Sequence, residues 1–153
     1  MNDQLDYDRT GLDLTIASES MRLAAYPDPG TGDSPWTIGV GHTGPDVYPG
    51  MVISEEQGYQ LLHDDVSAAV AAVKRLVKVA LTQGEFDALV DFVFNVGEGH
   101  FGSSTLLRLL NAGDYMGASK HFDDWVLAGG RRMNGLVVRR DNEESLFIRS
   151  IDV

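Results

Sequence analysis

The sequence predicts an α+β chain that is mainly α, with a small N-terminal β lobe and a larger C-terminal helical lobe. Three observations carry this. Alternating β-type residues lie at Trp36-Thr37-Ile38-Gly39-Val40-Gly41-His42 inside a stretch punctuated by Pro and Gly; apolar residues then recur every three or four positions from Tyr59 to Val77; and capped helical segments follow one another to Ile148. At 153 residues the chain reads as a single domain 1–153. Its small lobe spans about 11–53, a long connecting helix about 54–77 and a helical lobe about 78–150. A two-lobed domain has a cleft, and clefts are where ligands bind.

The first helix is expected over Gly11 to Leu23, where Leu12, Leu14, Ile16, Met21 and Leu23 form an irregular stripe behind the usable caps Asp8 and Thr10. It must end before Pro27, because Tyr26-Pro27-Asp28-Pro29-Gly30 makes turns and removes amide donors. Residues 26–50 are loop and short strand. Ser54, with Glu56 and Gln57 behind it, starts the long helix as a capping box, and Tyr59, Leu62, Val66, Val70, Val73 and Val77 give it one buried stripe. Further helices are expected at Thr82–Val96, at Ser103–Asn111 ended by Gly113, at Asp114–Leu127 ended by Gly129-Gly130, and at about Gly135–Ile148.

Composition excludes several classes of function. The chain has no cysteine, so it holds no disulfide, thiolate metal site or cysteine nucleophile. The apolar run Val66 to Val73 is alanine-rich and far short of a membrane span, so stable membrane insertion is not expected. The acidic start, with Asp3, Asp6, Asp8, Asp13 and Glu19 against Arg9, is the opposite of a signal peptide. A net charge of −11 argues against a general nucleic-acid partner. The charge is uneven: residues 1–70 hold 12 acidic and 2 basic side chains, while residues 71–153 hold 11 and 10. Arg131, Arg132, Arg139, Arg140 and Arg149 crowd the end, the one place suited to an anionic ligand.

Gly39-Val40-Gly41-His42-Thr43-Gly44 has the letters of a dinucleotide fingerprint, but Pro45, Pro49 and Gly50 follow where that fingerprint needs a helix. The glycines fit a β-turn instead. His42, His63, His100 and His121 lack the spacing of a zinc site, so no metal and no cofactor is expected. No serine-nucleophile motif is present. Acidic chemistry remains: Glu19 at the end of the first helix, Asp28 in a proline-flanked turn, and Thr37 entering the strand. A helix end and the turn beside it can hold two carboxyl groups across one groove, one protonated and one ionised, as glycoside hydrolysis requires.

Eight residues separate Glu19 from Asp28, and Trp36-Thr37-Ile38-Gly39-Val40-Gly41-His42-Thr43 follows; this resembles the Glu, Asp, Thr constellation of phage-type lysozymes, the endolysins of glycoside hydrolase family 24. Phe94-Asn95-Val96-Gly97, Phe101 and Ser104-Thr105-Leu106-Leu107-Arg108 resemble that family's central helices. Trp125-Val126 through Gly129-Gly130-Arg131, then Gly135-Leu136-Val137 and Arg139-Arg140 with Glu143, resemble its C-terminal signature. The resemblance runs from about residue 11 to residue 148 and implies a lysozyme-like fold.

It implies an N-acetylmuramidase that cleaves the β-1,4 bond between N-acetylmuramic acid and N-acetylglucosamine of peptidoglycan, with inversion. Glu19 would be the general acid, while Asp28 and Thr37 would orient the attacking water. Glu19 must then keep its proton near neutral pH by burial at the lobe junction, whereas an ion pair with Arg132, which the family pattern suggests, favours the ionised form. His42 and Asp65 match a structural pair, and Thr43, Phe94, Asn95 and Ser104 match substrate contacts. Arg131 and Arg132, after two glycines, are candidates for meeting stem-peptide carboxylates. Arg139 and Arg140, four residues ahead of Glu143 and Glu144, are expected as surface pairs worth a few tenths of a kcal/mol each. The resemblance also implies a monomer held in the host cytoplasm until a holin releases it to the periplasm and wall. A lytic transglycosylase and a catalytically inactive wall-binding relative are the alternatives.

Two departures from the family pattern stand out. Eight residues separate Asp28 from Thr37, more than the family usually has, the excess lying in Gly30-Thr31-Gly32-Asp33-Ser34-Pro35; Thr31 is therefore a fallback for Thr37. Ser20 follows Glu19 where the family commonly has glycine.

Overall fold

A computed structural model describes residues 1–151, with side chains through Arg149. Two compact units are present, Thr15–Ser67 and the combination of Met1–Leu14 with Ala68–Val153. No helix among the described residues is long and apolar enough to cross a membrane.

The smaller unit opens with the last turns of α1 (Arg9–Glu19). Asp8 caps the helix, its Oδ1 accepting the Gly11 amide at 3.1 Å. The helix stops earlier than the apolar stripe suggested. Ser20 has φ +67°, a left-handed conformation that reverses the chain, and Met21 leads into β1 (Arg22–Tyr26). Leu23 thus belongs to a strand, where it is exposed. β2 (Thr37–Gly39) pairs antiparallel with β1, matching Tyr26 with Thr37 and Arg22 with Gly39. β3 (His42–Thr43) folds back on β2, matching Thr37 with Thr43. The hairpin tip needs the glycines: Gly39 and Gly41 have φ +65° and +72°. No helix follows them, which disposes of the dinucleotide pattern. Ile38, Val47 and Ile53 form a small core, with Trp36, Met51 and Leu61 packed against it.

α2 (Glu55–Asp65) carries the expected capping box, Ser54 with Gln57. The helix expected over 54–77 is two, α2 and α3 (Ser67–Leu76), meeting at Val66. Val66 is fully buried and continues the apolar stripe, which is why periodicity alone joins the two segments. Its ψ of −2° departs from regular helix, and its amide faces both Leu62 O and Asp64 O.

His42 locks the small sheet. Its Nδ1 lies 2.8 Å from Asp65 Oδ2 at the end of α2, and its Nε2 lies 2.9 Å from Asp46 Oδ2. Partial burial opposes the charged ring, but the hydrogen bonds and charges of Asp46 and Asp65 outweigh it and raise the His42 pKa. The bond to His42 in turn lowers that of Asp46.

In the larger unit α4 (Gln83–Val96) is the central helix, buried from Glu85 to Val93 and capped by a Thr82–Glu85 box. Phe92 stands edge-on to Phe101 and Phe122, with ring centroids at 6.1 and 5.4 Å. The helix expected over 103–111 is α6 (Thr105–Asn111), and a short helix that was not expected, α5 (Glu98–Gly102), precedes it. Asp114 caps a helix as expected, but α7 (Tyr115–Ser119) is short; a 3-10 turn at Phe122–Asp124 and a hairpin replace the rest of the helix expected to Leu127. In that hairpin β4 (Leu127–Ala128) pairs with β5 (Arg131–Arg132). Gly129 and Gly130, with φ +59° and +77°, form the two-residue turn between them, so the glycine pair marks a hairpin and not a helix end.

α8 (Asn134–Ile151) corrects the reading of the arginines. Arg139 and Arg140 are buried, not surface pairs. Arg139 grips Asp91 of α4 with two bonds, Nε to Oδ2 at 3.0 Å and Nη2 to Oδ1 at 2.8 Å. Arg140 Nη2 donates to Glu143 Oε2 at 3.2 Å, its Nε lies 2.8 Å from Glu143 Oε1, and its guanidinium sits 5.1 Å from the Phe92 ring centroid. Spacing of i,i+4 is the same on a buried and an exposed helix face, so it could not distinguish the two.

Ser20→Gly should raise stability by about 0.5–1 kcal/mol, since glycine adopts the left-handed conformation without the side-chain clash; chemical denaturation of both proteins checks this. His42→Asn should cost about 1–2 kcal/mol near pH 5.5, the value of a charged hydrogen bond discounted for partial exposure. Because the folded pKa is raised, this stabilisation is fully present below the unfolded histidine value of about 6.5 and is lost as pH rises through the folded one. Thermal melts of both proteins from about pH 5.5 to 9 should show the gap narrowing.

Candidate active site

The three candidate catalytic residues all belong to the smaller unit and are strung along its sheet. Glu19 is the last residue of α1, one turn of chain before β1, and Asp28 comes two residues after that strand ends. Thr37 begins β2 directly opposite Tyr26. Glu19 is exposed, where burial was expected.

Asp28 is half-buried and organises its own loop. Its Oδ2 accepts the amides of Gly30 and Thr31, both at 3.1 Å. Its carbonyl accepts the Gly32 amide at 2.8 Å, and its amide donates to Asp33 O at 2.9 Å. The side chain is thereby fixed in direction by four-residue turn chemistry, with Oδ1 the oxygen that takes no bond from these loop amides.

The two candidate threonines differ in what their hydroxyls already do. Thr31 Oγ1 donates to Ser34 O at 3.1 Å and accepts the Asp33 amide at 3.2 Å, so both roles go to closing the loop. Thr37 is half-buried on a strand, and its hydroxyl bonds to no protein group among the described residues. Its cross-strand partner Thr43 is exposed on the same face of the sheet.

In the larger unit, Asn95 is exposed near the end of α4, and its Oδ1 accepts Arg140 Nη2 at 2.8 Å. Together with His100, Trp125, Leu127 and Leu136 it lines a cavity of about 320 Å³. Phe94 is half-buried and does not line that cavity. Ser104, matched to a substrate contact in the sequence, is buried and spent on structure: its Oγ donates to Phe101 O at 2.7 Å and caps α6 by accepting the Leu107 amide at 3.1 Å. Arg131 and Arg132 are exposed on β5.

Asp46 was missed from the sequence, although its place four residues after His42 was the available signal. Asp123, Asp141 and Glu144 form the one acidic group among the described residues whose oxygens lie close enough together to share a cation, within 4.8 Å. Burial and mutual repulsion raise Asp123 and Glu144, and Arg132 pulls Asp123 the other way. None of the four histidines joins that group.

Comparison with known proteins gives the family. The family model for phage lysozyme matches residues 17–143. The endolysin of Bacillus phage B103 is 46% identical over 144 residues, covering 94% of this chain and 54% of that protein. The chain thus spans about half the length of the first curated relatives it matches. Among solved structures, a variant of the lysozyme of phage P22 is similar with a TM-score of 0.86 at 37% identity, covering 95% of this chain and 99% of that one. The muramidase domain of SpmX from Asticaccaulis excentricus gives a TM-score of 0.81 at 36% identity, with the same coverage. With the family model matched from residue 17 to residue 143, the chain belongs to the phage lysozyme family.

Proposed function

We propose that this chain is an endolysin-type muramidase that hydrolyses the β-1,4 bond between N-acetylmuramic acid and N-acetylglucosamine in peptidoglycan. Glu19 donates a proton to the leaving oxygen, and Asp28 with Thr37 holds and activates the water that attacks from the opposite face. The observation that carries this is the contrast between the threonines: Thr31 is consumed by its loop, while the Thr37 hydroxyl bonds to no protein group among the described residues and Asp28 makes its loop bonds through one oxygen, Oδ2. Glu19 is exposed in the free protein, so the saccharide itself must displace the water around it before the acid can act.

The remaining proposals follow from the family. Asn95, oriented by Arg140, presents its amide N–H to saccharide at the cavity of the helical unit, and Arg131 and Arg132 meet stem-peptide carboxylates. Phe94 and Thr43 are further substrate contacts, while Ser104 acts through the cap it provides. The protein works as a monomer, depends on a holin for access, and reaches the wall from the host cytoplasm. Its relatives in Bacillus phages are endolysins, and one structural neighbour is a muramidase domain.

Glu19→Gln should lower the rate of wall clearing by about 10²–10⁴-fold, the contribution of a positioned general acid, with binding to purified wall retained. Inversion predicts an α-anomeric muramic acid at the new reducing end, visible by proton NMR within the first minutes of digestion. A 1,6-anhydro end on the released muropeptides would instead identify a transglycosylase, and undiminished lysis by Glu19→Gln would overturn the mechanism.

A further inference from the structure

The loop that is longer than its family counterpart has a place in the structure that the catalytic reading does not use. Asp33, Ser34, Pro35 and Trp36 line a cavity of about 510 Å³ together with Thr43 and Tyr48. The segment that carries Tyr48 is shaped by two successive turns, closed by Val47 N donating to Gly44 O and Met51 N donating to Tyr48 O. Trp36 is anchored: it packs on the small core, and its indole N–H donates to Asp33 Oδ1 at 3.2 Å. Tyr48 is 58% exposed, a large aromatic side chain left in water with no core to fill.

We propose that this cavity is an additional glycan subsite, built by the longer loop, that takes an N-acetylglucosamine unit of the strand being cut. The inference rests on the glycan-cleaving function proposed above. Its size is within the range of pockets that enclose a small organic ligand. Flat apolar surfaces (Trp36, Tyr48, Pro35) alternate with hydroxyls and a carboxylate (Ser34, Thr43, Asp33), which suits a pyranose with its C–H face and hydroxyl rim. An apolar ligand would strip those polar groups of water without replacement. No arginine or lysine lines the cavity and Asp33 does, so the uncharged amino sugar is favoured over the lactyl carboxylate of muramic acid. Thr43 ties the subsite to the reaction: it is the cross-strand partner of Thr37 and shares its face of the sheet, so a strand lying over Thr37 continues onto the cavity wall.

The test titrates the full Glu19→Gln chain with peptide-free tetra- and octasaccharides of alternating N-acetylglucosamine and N-acetylmuramic acid, and with chitin oligosaccharides, following the Trp36 indole N–H by NMR. A subsite predicts that the Trp36 signal moves with the chitin oligosaccharide and the octasaccharide. Tyr48→Ala in the same background should weaken octasaccharide binding about three- to tenfold, as expected for loss of one aromatic contact. In the active chain, Tyr48→Ala should raise the ratio of octasaccharide to tetrasaccharide KM by the same factor. An unmoved Trp36 signal with every saccharide, or movement only with fragments bearing stem peptides, overturns the proposal. Trp36 movement in a chain whose wild type releases no reducing ends keeps the subsite and removes the hydrolase reading. Normal hydrolysis with an unmoved Trp36 signal does the reverse. The titration of Trp36 needs no substitution in the cavity, so it decides the matter even where Tyr48→Ala folds poorly.

Discussion

The grip of Arg139 on Asp91 is the interaction around which the helical unit is organised. Both groups are almost wholly buried, and each would cost several kcal/mol there alone. Two parallel bonds across α4 and α8 compensate that cost, and Arg140 with Glu143 adds a second pair alongside. Desolvation, with Asp91 close by, pushes the Glu143 carboxyl well above its ordinary range. A network so balanced permits one relative placement of the two helices, since losing a single partner would leave about 3–5 kcal/mol of uncompensated charge. The same network extends outward: Arg140 spends one Nη2 hydrogen on Asn95, so a buried charge fixes the direction of an exposed amide at a cavity wall.

The smaller unit relies on a different kind of constraint. Its buried hydrophobic residues are Ile38, Val40, Val47, Ile53, Leu62 and Val66, a small core that leaves much of the sheet's definition to other contacts. Local polar chemistry does most of the work there. Ser20 turns the chain within one residue, His42 is held between two carboxylates, and Asp28 closes its own loop. Each of these devices adjoins a candidate catalytic group or is one. In a unit built this way, side-chain direction comes from hydrogen bonds to neighbouring backbone, and single polar substitutions should matter more than single core substitutions.

Legibility in the sequence followed the range of the interactions. Ser54, Thr82 and Asp114 are caps whose partners lie three residues on, and all three cap helices as read or at the expected helix start. The hairpin glycines and the His42–Asp65 match were equally visible. What failed depends on position in space. The buried stripe passes through Val66 unbroken although the helix does not, and an i,i+4 Arg–Glu spacing looks the same in the core as in water. Gly129-Gly130 can end a helix or turn a hairpin; only the partner strand decides. Ser104 was matched to a substrate contact, but it is buried and caps a helix, and a cap uses up the hydroxyl that a ligand would need.

The way Asp28 closes its loop bears on how this family can vary in length. The ring from residue 28 to residue 33 is held from within: the carbonyl, amide and carboxylate of Asp28 and the hydroxyl of Thr31 make its bonds without help from the sheet. Residues can therefore be gained in this segment without disturbing the alignment of Tyr26 with Thr37 a few positions away. The strand register stays in step while the neighbouring surface is free to change, which makes the loop a self-contained cassette whose length is decoupled from the sheet beside it.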